Sequence, residues 1–214
     1  MQRVALITGG EGGLARAIQT QLLKDKWEVH APGKATLDVT SSESIDRAFQ
    51  SLPRLDFLIH TAGIIRDQTF SRMEESDWDD VLTVNLHSAF HVARRAHQAH
   101  MHAQQSGHIL FIGSGAARFG AAGQANYAAA KAGLVGLMQS LAQEYGESNV
   151  RVNAILPGFL RTKMTAGLDR SLEDHALQNL NTPEESARFV SFLDTMPHTS
   201  GQVFQLDSRI GREL

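Results

Sequence analysis

The sequence predicts an α/β protein, one doubly wound parallel sheet with helices on both faces. Three observations predict it. Short apolar runs of strand length alternate with longer amphipathic stretches along the whole chain. Several of the runs are too short for a helix and end in glycine or proline turns, as at Gly9-Gly10, Pro32-Gly33 and Pro157-Gly158. The chain has 214 residues, of which 42% are hydrophobic and 20% charged, enough for a sizeable core. No linker, charge block or internal repeat divides it, so residues 1–214 read as one domain.

The elements follow in order. Val4 to Thr8 is too short for a helix and runs into glycines, so it reads as a buried strand. Gly13 to Lys26 places Leu14, Ile18 and Leu22 on one helical face. Glu28 to Ala31 is a second strand, stopped by Pro32-Gly33. Leu37 to Val39 reads as a third, and Ser41 to Leu52 as a capped helix. Phe57 to Thr61 is a fourth strand. Ser76 to Gln105 is a long helix with an apolar stripe through Trp78, Val81, Leu82, Leu86, Ala89, Phe90 and Ala93. His108 to Ile112 is a fifth strand, ending in Gly113-Ser114-Gly115. Gln124 to Tyr145 repeats Leu134, Leu137, Met138 and Leu141 at helical spacing. Val150 to Leu156 is a sixth strand, closed by Pro157-Gly158. Thr162 to Asn181 mixes Met164, Leu168, Leu172 and Leu177 with charges and reads as a helical cover over a site. Thr182 to Met196 is a helix with Pro183 in its first turn, and Gln202 to Leu206 is the last strand.

Composition excludes several functions. Lys plus Arg number 20 and Asp plus Glu 23, a net charge of −3, which gives no electrostatic reason for nucleic acid or an anionic membrane as partner. There is no cysteine, so disulfides and thiolate chemistry are out. No apolar run approaches the ~18 residues of a membrane span, and the opening apolar run is too short for a signal peptide. A cytoplasmic protein is expected. His87 and His91 lie four apart on the long helix, with His97, His100 and His102 beyond, but no carboxylate completes a metal site, so none is expected. Arg94, Arg95, Arg209 and Arg212 read as solvated charges or as a surface for an acidic carrier protein.

Two clusters carry chemistry. The turn Thr8-Gly9-Gly10-Glu11-Gly12-Gly13 lies between a strand and a helix. Glycines there allow a sharp turn and a close approach to a pyrophosphate, which the helix N-terminus attracts; a tight turn would also use them for backbone reasons alone. Tyr127 and Lys131, four apart, share one helical face. An ammonium beside a phenol favours the phenolate and should lower its pKa, giving a residue able to exchange a proton with a carbonyl or alcohol. Ser114 ends the fifth strand, where α/β proteins place their chemistry. Asn85 interrupts the apolar stripe of the long helix, and a buried amide needs partners.

Together these motifs resemble the short-chain dehydrogenase/reductase family over nearly the whole chain. The carriers are Thr8-Gly9-x-x-x-Gly13-Leu14-Ala15, Thr61-Ala62-Gly63, Ser114 thirteen residues before Tyr127, Tyr127-x-x-x-Lys131 and Pro157-Gly158-x-x-x-Thr162. The stretches from Ala62 to Asp80 and from Gly123 to Leu134 are most similar to the 3-oxoacyl-[acyl-carrier-protein] and acetoacetyl-CoA reductases of that family. The resemblance implies a Rossmann-type sheet of about seven strands. It implies a catalytic set of Ser114, Tyr127, Lys131 and Asn85, with Asn85 holding a proton-relay water. It places cofactor contacts at Gly9, Gly10, Glu11, Gly13, Leu14, Gly33, Lys34, Asp38, Val39, Ala62, Gly63, Tyr127, Lys131, Pro157, Gly158 and Thr162. NADP(H) is favoured over NAD(H), because the family's acidic position falls on Gly33 and its arginine position on Lys34.

The implied reaction is NADPH-dependent reduction of a 3-oxoacyl thioester, of acyl carrier protein or CoA, by a homotetramer or homodimer. The competing readings are a reductase of another ketone, sugar or polyol, and a catalytically silent nucleotide sensor. The chain departs from the family at Ala15, at His60-Thr61 where two asparagines are usual, in a short connection after the second strand, and in its tail, Leu206-Asp207-Ser208-Arg209.

Overall fold

The computed structural model describes residues 2–166 and 175–209. Six parallel strands form one sheet: β1 Val4–Thr8, β2 Glu28–His30, β3 Phe57–His60, β4 Gly107–Ile112, β5 Val150–Leu156 and β6 Val203–Gln205. Their order is β2-β1-β3-β4-β5-β6. The chain starts inside the sheet, steps out to β2, then returns past β1 and builds the other side. The strand order therefore reverses between β1 and β3, and the loops after these two strands part to leave a crevice at their carboxyl ends.

Side chains of one strand alternate between the two faces. Leu6, Leu58 and Phe111 join a core under Phe49, Val92 and Met138. Ile7, Ile59 and Leu110 join a second core with Ile18, Leu22 and Val190. Helices α1 Gly13–Lys24 and α8 Pro183–Asp194 cover this second face. The first face is covered by α2 Ser42–Gln50, the run α3 Glu75–Leu82, α4 Ser88–Ala96 and α5 His102–Gln104, and α7 Ala125–Glu144. A short α6 spans Ala116–Phe119. Ser41 caps α2 by accepting from the Ser44 N–H, and Thr182 and Glu185 form a reciprocal capping box ahead of Pro183 in α8.

Three expectations change. The sheet has six strands, not about seven, because Leu37 to Val39 is not a strand. The N–H groups of Thr36 and Leu37 both turn back to the Gly33 carbonyl, at 3.0 and 2.9 Å, and the Asp38 N–H goes to the Ser44 hydroxyl at 2.9 Å. Leu37 and Val39 are nevertheless buried in the core, which is the signal their apolarity carried. The long helix runs from Glu75 to Gln104 but widens into π-turns at Thr83–His87 and His97–Met101. Of the expected helical cover over 162–181, Lys163–Thr165 forms a single 3-10 turn and 175–181 is non-helical. Residues 167–174, with Leu168 and Leu172, lie outside the described residues.

Candidate active site

The glycine turn is built for close approach. Gly9 has φ +66°, and a side chain at Gly10 would place its Cβ 2.0 Å from the Ala31 carbonyl oxygen. Gly10 N–H donates to the Pro32 carbonyl at 3.0 Å, tying the turn to the end of β2. Gly12 caps α1 without a side-chain bond, so the first helical N–H groups face the crevice. Thr162 lies against Gly13: a Cβ there would sit 3.1 Å from its methyl group. The Pro157–Thr162 segment thus meets the glycine turn across the crevice.

The ends of β1 and β3 are clasped by hydroxyls. Thr8 Oγ1 accepts from Thr61 N and Ala62 N, both at 3.2 Å, and Thr61 Oγ1 donates to the Thr8 carbonyl at 2.6 Å. The remaining proton of Thr8 Oγ1 then points to His60 Nδ1 at 3.0 Å. His60 is left to donate from Nε2 to Ser88 Oγ at 3.2 Å, and Ser88 donates to Val84 O at 2.6 Å. This network assigns the tautomer. Burial, helped by the charge of Lys131, pushes His60 down to about 3, so it stays neutral. Here the histidine at the family's usual asparagine position is a fully bonded strut.

Lys131 sits behind this clasp. It is buried, and Nζ donates to the Ile112 carbonyl at 2.8 Å. Burial lowers its pKa to about 8. A Cβ on Gly63 would lie 3.1 Å from Asn85 Oδ1 and 3.7 Å from Lys131 Nζ, which brings the loop after β3, the π-turn and α7 to one point. Asn85 is buried, with both ends of its amide on one residue: Oδ1 accepts from Ile64 N at 2.8 Å and Nδ2 donates to Ile64 O at 2.9 Å. Its side chain holds the Gly63–Ile64 backbone rather than reaching toward Lys131.

One helical turn before Lys131 is Tyr127, with Nζ 5.6 Å from its ring centroid. Ser114 hydrogen-bonds the phenol. The four-residue spacing predicts that the ammonium lowers the phenol's pKa. Instead burial raises it and Asp67 adds to the rise, against the Ser114 bond. The ammonium lies beside the ring face and points at a carbonyl, so it does not offset the desolvation.

The start of α7 is fixed by residues that sequence reasoning did not assign. Asn126 is fully buried; Nδ2 donates to the Arg66 and Asp77 carbonyls at 3.1 and 3.2 Å, and Oδ1 accepts from Tyr127 N at 2.8 Å. Gln124 donates to Asp67 at 2.8 Å. An asparagine beside Tyr127 at the head of an alanine-rich helix was the available signal.

These elements enclose a cavity of about 750 Å³. Of the residues expected in the site, Glu11, Gly13, Leu14, Gly63, Ser114, Tyr127, Lys131, Pro157, Gly158 and Thr162 line it. Gly9, Gly10, Ala62 and Asn85 shape it from behind. Gly33, Lys34, Asp38 and Val39 are not in its lining. Val39 is in the core, Asp38 accepts from the Thr40 N–H and hydroxyl at 2.9 and 2.7 Å, and Lys34 is exposed. Glu11 bridges the gap: a Cβ on Gly33 would lie 2.6 Å from its Cδ, so this acid lies over the glycine where the acidic position was missing. Arg209, read as solvated, lines the cavity as well, beside His175. Of the long-helix histidines, His100 donates to the Phe49 carbonyl at 3.0 Å and His97 and His102 meet Ser148 Oγ at 3.2 and 3.0 Å, while His87 and His91 are exposed.

The short chain dehydrogenase family model matches residues 33–173. The chain belongs to the short-chain dehydrogenase family. It is 35% identical to the 3-oxoacyl-[acyl-carrier-protein] reductase MabA of Mycobacterium tuberculosis, over 99% of this chain and 94% of that one. It is 34% identical to the 3-oxoacyl-[acyl-carrier-protein] reductase FabG of Thermotoga maritima, over 96% of both chains. It is 35% identical to the acetoacetyl-CoA reductase of Allochromatium vinosum, over 90% of this chain and 91% of that one. This short-chain dehydrogenase is an NAD(P)-dependent oxidoreductase. Its turn fits the dinucleotide: Glu11, Gly12 and Gly13 line the cavity, and the open N-terminus of α1 follows them. Among the described residues no helix is long and apolar enough to cross a membrane.

Proposed function

We propose that the enzyme reduces 3-oxoacyl thioesters, of acyl carrier protein or CoA, to the 3-hydroxyacyl form, with NADPH preferred. The observation that carries this reading is the convergence of Ser114, Tyr127 and Lys131 at one cavity wall, in a chain whose relatives are named for that reduction. The nicotinamide, when bound, supplies the hydride; Gly13, Gly63, Pro157, Gly158 and Thr162 would hold the dinucleotide.

The chain's own residues handle the proton and the charge. Ser114 Oγ donates to the substrate carbonyl and stabilises the negative charge growing on its oxygen. Tyr127, its phenol pushed up by burial, is protonated at neutral pH and gives that proton to the oxygen as the alcohol forms. Loss of the proton leaves a phenolate, which the Lys131 ammonium, charged below about 8, attracts. Asn85 is a positioning residue that fixes the Gly63–Ile64 backbone against Lys131.

Residues 1–214 act as one reductase domain in this reading. Lys34 favours the 2′-phosphate of NADPH and Glu11 opposes it, so the preference is modest. A homotetramer or homodimer fits the outer face of α4 and α7, where Phe90 and the small residues Ala129 and Ala132 are exposed. The test is NADPH oxidation with acetoacetyl-CoA by the wild type and by Tyr127→Phe. The variant should fold and bind cofactor but turn over roughly 10²–10⁴-fold more slowly, the worth of a positioned proton donor. Near wild-type turnover in the variant would remove Tyr127 from the mechanism.

A further inference from the structure

Among the polar side chains of the cavity that proton transfer does not use, His175 and Arg209 come from two distant segments of the chain. Residues 175–177 and 208–209 are clasped together: His175 and Arg209 form an antiparallel bridge, and Ala176 N donates to the Ser208 carbonyl at 3.0 Å. The clasp brings both side chains to the cavity wall.

Arg209 is held in place from behind. Nε donates to Asp207 Oδ2 at 2.6 Å and Nη2 pairs with the same oxygen at 2.5 Å, while the Asp207 side chain is 1% exposed. Nη1 makes no bond among the described residues. The guanidinium lies on Gly115, the residue after Ser114: a Cβ there would fall 2.4 Å from Nη2 and 3.1 Å from Nη1. Only a glycine lets the cation lie beside the serine that would hold the carbonyl. His175 is 3% exposed, and its Nδ1 has no hydrogen-bond partner among the described residues. A buried polar nitrogen without a partner is costly, and here it lines a cavity.

Resting on the reductase reading above, we infer that the substrate carries a carboxylate a few carbons from the reduced ketone, bound by Arg209 Nη1 with His175 beside it. Guanidinium stays charged and offers N–H groups in a plane, the geometry a carboxylate accepts. An uncharged acyl chain would leave the guanidinium and the imidazole facing apolar carbon.

The experiment compares kcat/KM for three ketones: the N-acetylcysteamine thioester of acetoacetate, that of 3-oxoadipate, and free acetoacetate. The 3-oxoadipyl thioester should exceed the acetoacetyl thioester by roughly tenfold to a hundredfold, the worth of a charge-assisted hydrogen bond. Arg209→Gln should bring that ratio close to one, and Arg209→Lys should restore part of it. Preference for free acetoacetate, lost in Arg209→Gln, supports the same subsite and assigns it to free oxo acids. A ratio near one in the wild type, with the acetoacetyl thioester reduced, overturns the subsite and leaves the reductase reading standing. No reduction of any of the three by enzyme that binds the cofactor overturns both. Glutarate, which has no ketone, keeps the idea exposed if the variants fail to fold. It should compete with the acetoacetyl thioester in the wild type, and absence of competition overturns the subsite.

Discussion

The two ends of the sheet each bury a histidine and charged groups, and they treat them in opposite ways. At the amino end, His108 on β4 donates from Nδ1 toward Asp194 at 3.3 Å, and its Nε2 accepts from Asn153 at 3.2 Å. Asp194 also receives Arg3 at 2.7 Å and Arg151 at 3.0 Å. Every charge there has an opposite charge beside it. At the carboxyl end, His60 is held by neutral hydroxyls, and the buried Lys131 ammonium has one carbonyl for a partner. Paired buried charges resist being broken, whereas a lone buried cation costs free energy that the fold must recover elsewhere. The amino end is organised for stability and the carboxyl end for chemistry, where perturbed groups gather.

The sharpest way to break this comparison is to remove one charge from each end. Lys131→Met should lower turnover by at least about 10²-fold, as loss of a positioned electrostatic group does, while the melting temperature stays level or rises. Asp194→Ala should do the reverse. It strands Arg3, Arg151 and His108 and should cost about 3–5 kcal/mol in urea unfolding, with turnover of the folded fraction nearly unchanged. Equal loss of stability in both variants would mean that the two ends do not differ as argued.

Proton linkage sharpens it further. Burial pushes His60 down to about 3 and His108 to about 4, against an ordinary 6.5, although the bond to Asp194 works upward on His108. As pH falls below 6.5 the unfolded chain takes up protons that the folded protein refuses, so stability is lost, at about 1.4 kcal/mol per pH unit for each imidazole. Asp194 behaves differently. Burial pushes it up, but the His108 bond and the neighbouring charges, among them Arg3 and Arg151, outweigh burial and hold it below 3.8. Its contribution is present above that value and is lost only as pH falls through its lowered pKa. Between pH 6 and pH 4.5 the slope therefore belongs to the histidines. His60→Asn should make the fall of the urea midpoint over that range visibly shallower. An unchanged slope would show that His60 takes up its proton in the folded protein.

Much of this was legible in the sequence, and the rest fails for physical reasons. Strand-length runs that end in glycine or proline turns are plain, so the bounds Val4–Thr8 and Val150–Leu156 match to the residue. Tyr127 and Lys131 stand out because helical spacing alone puts them together. Leu37 to Val39 is not a strand because apolarity reports burial, while a ladder also needs free N–H groups, and those of Leu37 and Asp38 go to the Gly33 carbonyl and the Ser44 hydroxyl. The direction of the Tyr127 shift depends on where the Lys131 ammonium points, which no spacing encodes. Arg209 and His175 meet only through a clasp between distant segments, so nothing local marked them as cavity residues.

The smallest expected effect concerns Glu11, an exposed residue of the carboxyl-end turn. The end of β2 is where such folds read the adenosine ribose, with an acid for the 2′-hydroxyl and a cation for a 2′-phosphate. Here Gly33 supplies no acid, Lys34 supplies a cation, and the Glu11 carboxyl is laid over Gly33 from the neighbouring turn. A carboxylate there repels a 2′-phosphate of nearly two charges, and Lys34 attracts it. Aspartate at Gly33 is a poor probe of this balance, because its Cβ would strike Glu11. Glu11→Gln is the cleaner one, since it keeps the shape and removes the charge. It should raise the ratio of kcat/KM for NADPH over NADH by about twofold to fivefold, the scale of exposed charge pairs, and Lys34→Ala should lower it by a similar factor. Both changes should shrink as salt is raised from about 0.01 M to 0.5 M, because solvated charges are screened. A ratio indifferent to Glu11→Gln at low salt would show that this carboxylate does not face the ribose, and that the preference is set by Lys34 alone.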